Sequence, residues 1–360
     1  MSVLKNSAAL VAALSFTASV SLSACKGKDQ SGGGSATMAG SSTPTGSGSA
    51  TAAAGSGSGS ATAATGSGSA TAAAGSGSGS ARSGSAAAPT DGRTFIDGDF
   101  KTPESVLYDA DDDLYIVSNI NGSPADKDGN GFISKVSPDG KIVDLKWIEG
   151  GKNGVKLDAP KGTAIVNSTL YVADITVVRQ FDMKTGKQKA DIAVPGSTFL
   201  NDVAPTADGG VIVSDTGVDA QFQPTGADAV YKIDSKGKLT PLAKDKDLGG
   251  PNGVTEFGGQ TWVVTFKTGE VYSIDPKTKN KAGVTKPPKG ALDGLVALPS
   301  GEVYVSSWEG KCVYKESGRD VWNVVVADVE APADIGYDSK RKKLLIPLFQ
   351  GNRIVVVDAK

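Results

Sequence analysis

The sequence predicts an all-β chain folded as a six-bladed β-propeller, and three observations predict it. A four-residue motif recurs six times beyond residue 100: Pro103-Glu104-Ser105-Val106, Pro160-Lys161-Gly162-Thr163, Leu200-Asn201-Asp202-Val203, Pro251-Asn252-Gly253-Val254, Leu292-Asp293-Gly294-Leu295 and Pro332-Ala333-Asp334-Ile335. The second positions (104, 161, 201, 252, 293, 333) are spaced by 57, 40, 51, 41 and 40 residues. Between copies lie short alternating strands and turn residues, and a period of this length filled in this way is the signature of propeller blades. Finally, the last copy ends one strand short of a four-stranded blade, and residues 94–100 precede the first motif where they can complete it.

Residues 1–24 read as an export signal, with Lys5 ahead of a largely apolar stretch from Ala8 to Leu22 that is too short and interrupted to span a bilayer comfortably. Its end, Leu22-Ser23-Ala24-Cys25, resembles the lipobox of bacterial lipoproteins. That resemblance implies a lipid-modified Cys25 and an anchored product. Lys26 follows the cysteine, which by the sorting rule of Gram-negative lipoproteins implies the outer membrane.

Residues 25–92 read as a tether. From Ser31 to Ala88 the chain is almost entirely Gly, Ser, Ala and Thr, and residues 46–60 recur unchanged as 66–80. Such a stretch offers too little apolar surface to offset backbone ordering, so a disordered spacer spanning about 40 Å is expected.

Residues 93–360 are the predicted propeller. In the first repeat, strands are expected over Glu104 to Tyr108, Leu114 to Asn119, Gly131 to Val136 and Ile142 to Trp147, with turns at Asp109 to Asp113 and Ser137-Pro138-Asp139-Gly140. Second strands of later repeats are rich in β-branched and aromatic residues, as in Leu170-Tyr171-Val172, Thr261-Trp262-Val263-Val264 and Val303-Tyr304-Val305.

Composition removes whole classes of chemistry. The chain has 0 His, so it holds no Ser-His-Asp triad, no histidine-ligated metal and no imidazole proton shuttle. Its 2 cysteines are Cys25 and Cys312; with Cys25 lipidated, Cys312 has no disulfide partner and is expected inside a blade. A formal net charge of −2 without a basic stripe argues against a nucleic-acid partner.

In a propeller the first strand of each blade lines the channel. Glu104, Asn201, Asn252 and Asp293 are therefore expected to converge there, with Asp202 and Asp334 one position further along. Two carboxylates and two amide oxygens suit one divalent ion, whether calcium, magnesium, manganese or oxygen-ligated zinc. The same residue types also fit polar strand ends hydrogen-bonded among themselves.

Leu200-Asn201-Asp202, Pro251-Asn252-Gly253-Val254 and Asp293-Gly294-Leu295, with the following Ser300-Gly301-Glu302-Val303-Tyr304-Val305-Ser306-Ser307-Trp308-Glu309-Gly310, resemble signature segments of the senescence marker protein and gluconolactonase family. The resemblance runs from about Phe100 to Lys360 and implies a six-bladed propeller that hydrolyses a sugar lactone with one divalent ion in its channel. It implies Glu104, Asn252 and Asp293 as metal ligands, Asn201 in contact with the metal water or substrate, and Asp293 as general base. Asp202 would orient Asn201 from a second shell, with Asp334 beside it.

Lys161 departs from this pattern by placing a cation in the channel. It can pair with Asp202 or Asp334, bind an anionic substrate, or replace the metal. A noncatalytic propeller binding a partner protein, a glycan or a small anion is the alternative function. Asp126 to Ser134 match the first nine positions of a calcium loop, but Ser137 stands where such a loop needs Glu, so a polar turn is expected there, with a calcium-binding hairpin loop as the alternative.

Overall fold

The computed structural model describes residues 92–360. The export signal, Cys25 and nearly all of the expected tether lie outside the described residues. The remainder forms six four-stranded antiparallel sheets, each ordered from the channel outward. Their inner strands are Pro103–Asp109, Pro160–Val166, Leu200–Pro205, Pro251–Phe257, Leu292–Ala297 and the short Gly336–Asp338. The predicted propeller is present, with boundaries in the first blade within two residues of those read from sequence.

Closure follows the predicted route. Thr94–Asp97 pairs antiparallel with the last strand, Arg353–Asp358, in the register Thr94↔Val356 to Asp97↔Arg353. The sixth blade is thereby built from both ends of the described chain. Ile96 and Phe100 are buried with Val106, Tyr115, Leu345 and Ile354 between the sixth and first blades. A polar bolt crosses the same seam. The Tyr115 hydroxyl donates to Asp338 at 2.8 Å, and Arg341 reaches both Asp338 and Asp113.

The core is divided rather than central. Six apolar clusters fill the six gaps between neighbouring blades, for example Val178, Leu200, Val213 and Tyr231 between blades two and three. This is what alternation dictates, because each sheet presents one apolar face to each neighbour and its strand edges to the channel and the rim. Cys312 is a free, buried thiol in the cluster between blades four and five.

The inner strands share one irregularity. Five of them carry a β-bulge, between Pro103 and Val106, Pro160 and Thr163, Leu200 and Val203, Pro251 and Val254, and Leu292 and Leu295. In the sixth blade the bridges Pro332↔Leu348 and Gly336↔Leu345 enclose three residues against two, so it too has one extra residue. The second and third motif positions are thus the bulged pair in every blade. A bulge re-aims side chains that a regular strand would alternate.

The third positions interlock neighbouring blades. The Ser105 and Thr163 hydroxyls lie 3.2 Å apart, Val254 N donates to Asp202 at 2.7 Å, and Asp334 N donates to the Glu104 carbonyl at 2.9 Å. Where the approach is closest the residue is glycine. A Cβ on Gly162 would stand 2.2 Å from Asp202 Oδ1, and one on Gly294 would stand 2.3 Å from Ile335 N. The second positions are left to face the channel.

Candidate functional site

The channel positions, in blade order, are Glu104, Lys161, Asn201, Asn252, Asp293 and Ala333. All six are buried. In the odd blades the bulge is held by a serine on the second strand: Ser118, Ser214 and Ser306 accept the amide N–H of Ser105, Asp202 and Gly294 at 2.9, 2.9 and 2.7 Å. Even blades have Ala173, Val264 and Pro347 at the matching place.

Glu104, Asn252 and Asp293 are 4, 3 and 3 % exposed. Each carries one oxygen sealed from solvent with no hydrogen-bond partner: Glu104 Oε2, Asn252 Oδ1 and Asp293 Oδ1. A buried orphan acceptor costs about 1–3 kcal/mol, more when charged. Seven side-chain atoms among the described residues are in this state, and these three plus the Trp308 indole nitrogen belong to one place. Hard oxygens lacking donors fit a divalent ion in type. No group of three His, Cys, Asp or Glu side chains among the described residues is placed to hold an ion alone, so the Asn252 amide is integral to any such site.

Electrostatics point the same way. Burial first, then Asp293 and Asp334, push the Glu104 carboxyl well above its usual range, against an opposing effect of Lys161. Burial and then Asp202 raise Asp293 to about 8, opposed by the Trp308 and Asn252 side chains, which approach the carboxylate as donors without closing to a well-formed hydrogen bond. Burial raises Asp202 to about 6, and burial followed by Asp202 raises Asp334. Like charges crowded out of water favour protons or a cation.

This crowding gives a pH prediction. Asp293 and Asp202 titrate near 8 and 6 when folded against 3.8 ordinarily, so between about pH 4 and 8 the folded chain holds protons that the unfolded chain releases. Their contribution to stability is complete at low pH and drains as pH rises through that window. The denaturation midpoint of the metal-free protein is expected to fall from about pH 5 to pH 8, and a millimolar divalent ion to cancel the fall. A midpoint that is flat or rising without metal would contradict the clustering of these carboxyls.

Lys161 is 1 % exposed. Its ammonium donates to the Ala159 carbonyl at 3.2 Å and lies 4.3 Å from the centre of the Phe199 ring. It makes no ion pair within 4.0 Å among the described residues, so neither Asp202 nor Asp334 is its partner. Burial lowers it to about 8, with Glu104 the first of the carboxylates that oppose the drop.

Asn201 is oriented by Thr216, not by Asp202. Its Nδ2 donates to Thr216 Oγ1 at 2.9 Å, and that hydroxyl donates to the Pro251 carbonyl at 2.7 Å. Asp202 instead accepts from the amides of Val203 and Val254, joining blades three and four. Asp334 bridges to Ser105, joining blades six and one. Both residues tie blades together, Asp334 through its backbone, and both carboxyls also lie close enough to Glu104 to raise it.

Asp126 to Gly131 run as an irregular, largely exposed loop, and Phe132 to Ser134 belong to the following strand. Ser134 lies within the third strand of blade one and donates to the Leu145 carbonyl at 2.6 Å, while Asp128 accepts from the Asn130 amide and side chain. A surface cavity of about 290 Å³ beside Lys156, Gln188 and Asp191 lies on the outer part of blade two, away from the motif residues.

Sequence reading missed a ring one step above the channel residues. The residue after each second strand is Ile120, Ile175, Thr216, Phe266, Trp308 or Phe349. In five blades its amide donates to the carbonyl just before the motif: Ile120 to Thr102, Thr216 to Phe199, Phe266 to Gly250, Trp308 to Ala291 and Phe349 to Ala331, at 2.9–3.1 Å. Thr102, Ala291 and Ala331 take positive φ to present those carbonyls, a strained conformation for residues other than glycine. The signal was available as the residue ending each second-strand run.

Fold and channel together define a six-bladed propeller whose axis is lined by buried acidic and amide oxygens. No protein-family model matches the sequence, and no curated protein matches it. Solved structures do resemble it. A structural-genomics protein assigned as a gluconolactonase superposes with a TM-score of 0.59 at 15 % identity, over 75 % of this chain and 93 % of its own. A gluconolactonase from Xanthomonas campestris gives 0.57 at 15 % identity, over 73 % and 88 %. Virginiamycin B lyase from Staphylococcus aureus gives 0.54 at 12 % identity, over 74 % and 98 %. At such identities the likeness is one of fold.

Proposed function

We propose that the protein is a metal-dependent hydrolase of lactones or related esters, and that residues 25–92 tether it to the outer membrane through a lipid on Cys25. The observation that carries the enzymatic reading is the set of three sealed, unpartnered oxygens on Glu104, Asn252 and Asp293. Likeness to a gluconolactonase and to a second protein assigned as one supports it. A lyase reading is weaker. The Staphylococcus lyase is inactive when one histidine is replaced by alanine, and this chain has none.

Glu104, Asn252 and Asp293 would hold the ion, which when bound supplies Lewis acidity toward a carbonyl and acidifies water. The chain's own residues do the rest. Asp293 accepts the proton of the attacking water. Asn201, with its Nδ2 committed to Thr216, offers Oδ1 to a substrate hydroxyl or to water. Lys161 has one donor engaged and two to spare, so its charge can offset the negative charge that develops on the carbonyl oxygen.

Complete enclosure of the three oxygens also favours a second reading, in which the ion only braces the blades. Metal stoichiometry on the purified protein, followed by lactone hydrolysis with and without the ion, separates the two. One bound ion with turnover supports the enzyme, one ion without turnover supports the brace, and no ion rejects both. For the anchor, wild type is expected in the membrane fraction and Cys25→Ser in the soluble one. Unchanged partitioning of the variant would reject lipidation at Cys25.

A further inference from the structure

The ring above the channel residues is apolar in five blades and polar in one. Phe266, Trp308 and Phe349 pack as a continuous aromatic arc over blades four to six, with ring centroids 5.5 and 5.0 Å apart in consecutive pairs. Phe349 continues onto Ile120, Ala159 and Ile175, which are buried together. The three aromatic residues are only half buried, so they keep apolar surface available. Thr216 is the exception, and its hydroxyl is already engaged by Asn201 and the Pro251 carbonyl.

Trp308 joins this arc to the channel floor. Its indole nitrogen is buried without a hydrogen-bond partner, and the side chain lies beside Asp293. A substrate whose carbonyl faced the Glu104, Asn252 and Asp293 oxygens would have its substituent against these rings. A sugar lactone brings several hydroxyls, each losing water on entry, to an arc whose three side chains offer one free hydrogen-bonding group, the Trp308 indole nitrogen. An alkyl or aryl substituent loses nothing there and buries its own surface.

We infer that the Phe266–Trp308–Phe349 arc is a binding subsite for an apolar substituent, so that the substrate class is lactones or esters bearing an alkyl or aryl group and not polyhydroxylated sugar lactones. The substrate chemistry rests on the hydrolase reading, but the subsite does not.

The probes are unreactive cyclohexanones carrying propyl, pentyl or heptyl chains, titrated calorimetrically into the full-length protein, and the δ-lactones with the same chains. For the ketones, affinity is expected to rise roughly fourfold per methylene over the first few carbons, the value of one buried methylene. In Trp308→Ala/Phe349→Ala the rise should collapse to less than about twofold per methylene, while Trp308→Phe, which keeps apolar surface, should retain most of it. Alkyl lactones should exceed a sugar δ-lactone in kcat/KM by at least about tenfold. Chain-dependent ketone binding without hydrolysis of any lactone upholds the subsite and rejects the hydrolase. Ketone affinity independent of chain length, or unchanged in the double variant, overturns the subsite. Preference for the sugar lactone overturns the substrate class.

Discussion

Asp293→Ala is expected to abolish divalent-ion binding and lactone hydrolysis together, with kcat/KM falling by at least about a thousandfold, roughly 4 kcal/mol of transition-state stabilisation. Asp293 would be both a ligand and the proton acceptor, and its Oδ1 has no other partner. Stability should move the other way. A buried carboxyl crowded by Asp202 and Glu104 is unfavourable without a cation, so the metal-free variant should be as stable as wild type or more so. Added metal should raise the melting temperature of wild type and leave the variant unmoved. Glu104→Gln, which keeps shape and removes charge, should behave alike. Asp128→Ala, in the exposed loop of blade one, is the control and should leave turnover nearly intact. A variant at Asp293 that still binds one ion with wild-type affinity would refute the ligand assignment.

Removing residues 92–101 should have the largest effect on stability. The loss strips the fourth strand from blade six, uncovers the edge of Arg353–Asp358, and takes Ile96 and the fully buried Phe100 out of the seam with blade one. It also breaks the bond from Thr102 N to Asn352 Oδ1 by freeing the turn before the first inner strand. Phe100→Ala alone is expected to cost about 3–5 kcal/mol, and the truncation more. The bared edge should make the truncated protein aggregate. Denaturant midpoints and light scattering measure both. An unchanged midpoint for a chain starting at Thr102 would show that closure does not depend on this strand.

The architecture was legible because it repeats. Six motif copies, turn glycines and β-branched strands fixed the blades, and the missing strand at Asp358 pointed to residues 94–100 for closure. The channel positions were legible for the same reason, since equivalent places in a repeat must face one axis. What stayed hidden depends on contacts between blades. Nothing in the string Asn201-Asp202 tells that the bulge sends one side chain to the channel and the other to Val254 N. Nor does Lys161 reveal that its ammonium rests on Phe199 and the Ala159 carbonyl. The residue ending each second strand looks like an ordinary boundary until the inner turns bring Trp308 beside Asp293.

The extra residue in every inner strand separates two duties that a regular strand would mix. One member of each bulged pair ties the blades, where even a methyl at Gly162 or Gly294 has no room, while the other is left to line the axis. Ala333 shows the result, a blade that adds no functional group to the axis and yet closes like its neighbours. Such a ring can exchange its reactive groups one blade at a time, by single substitutions, without renegotiating how the blades fit, and so its chemistry is free to diverge while its architecture stays put.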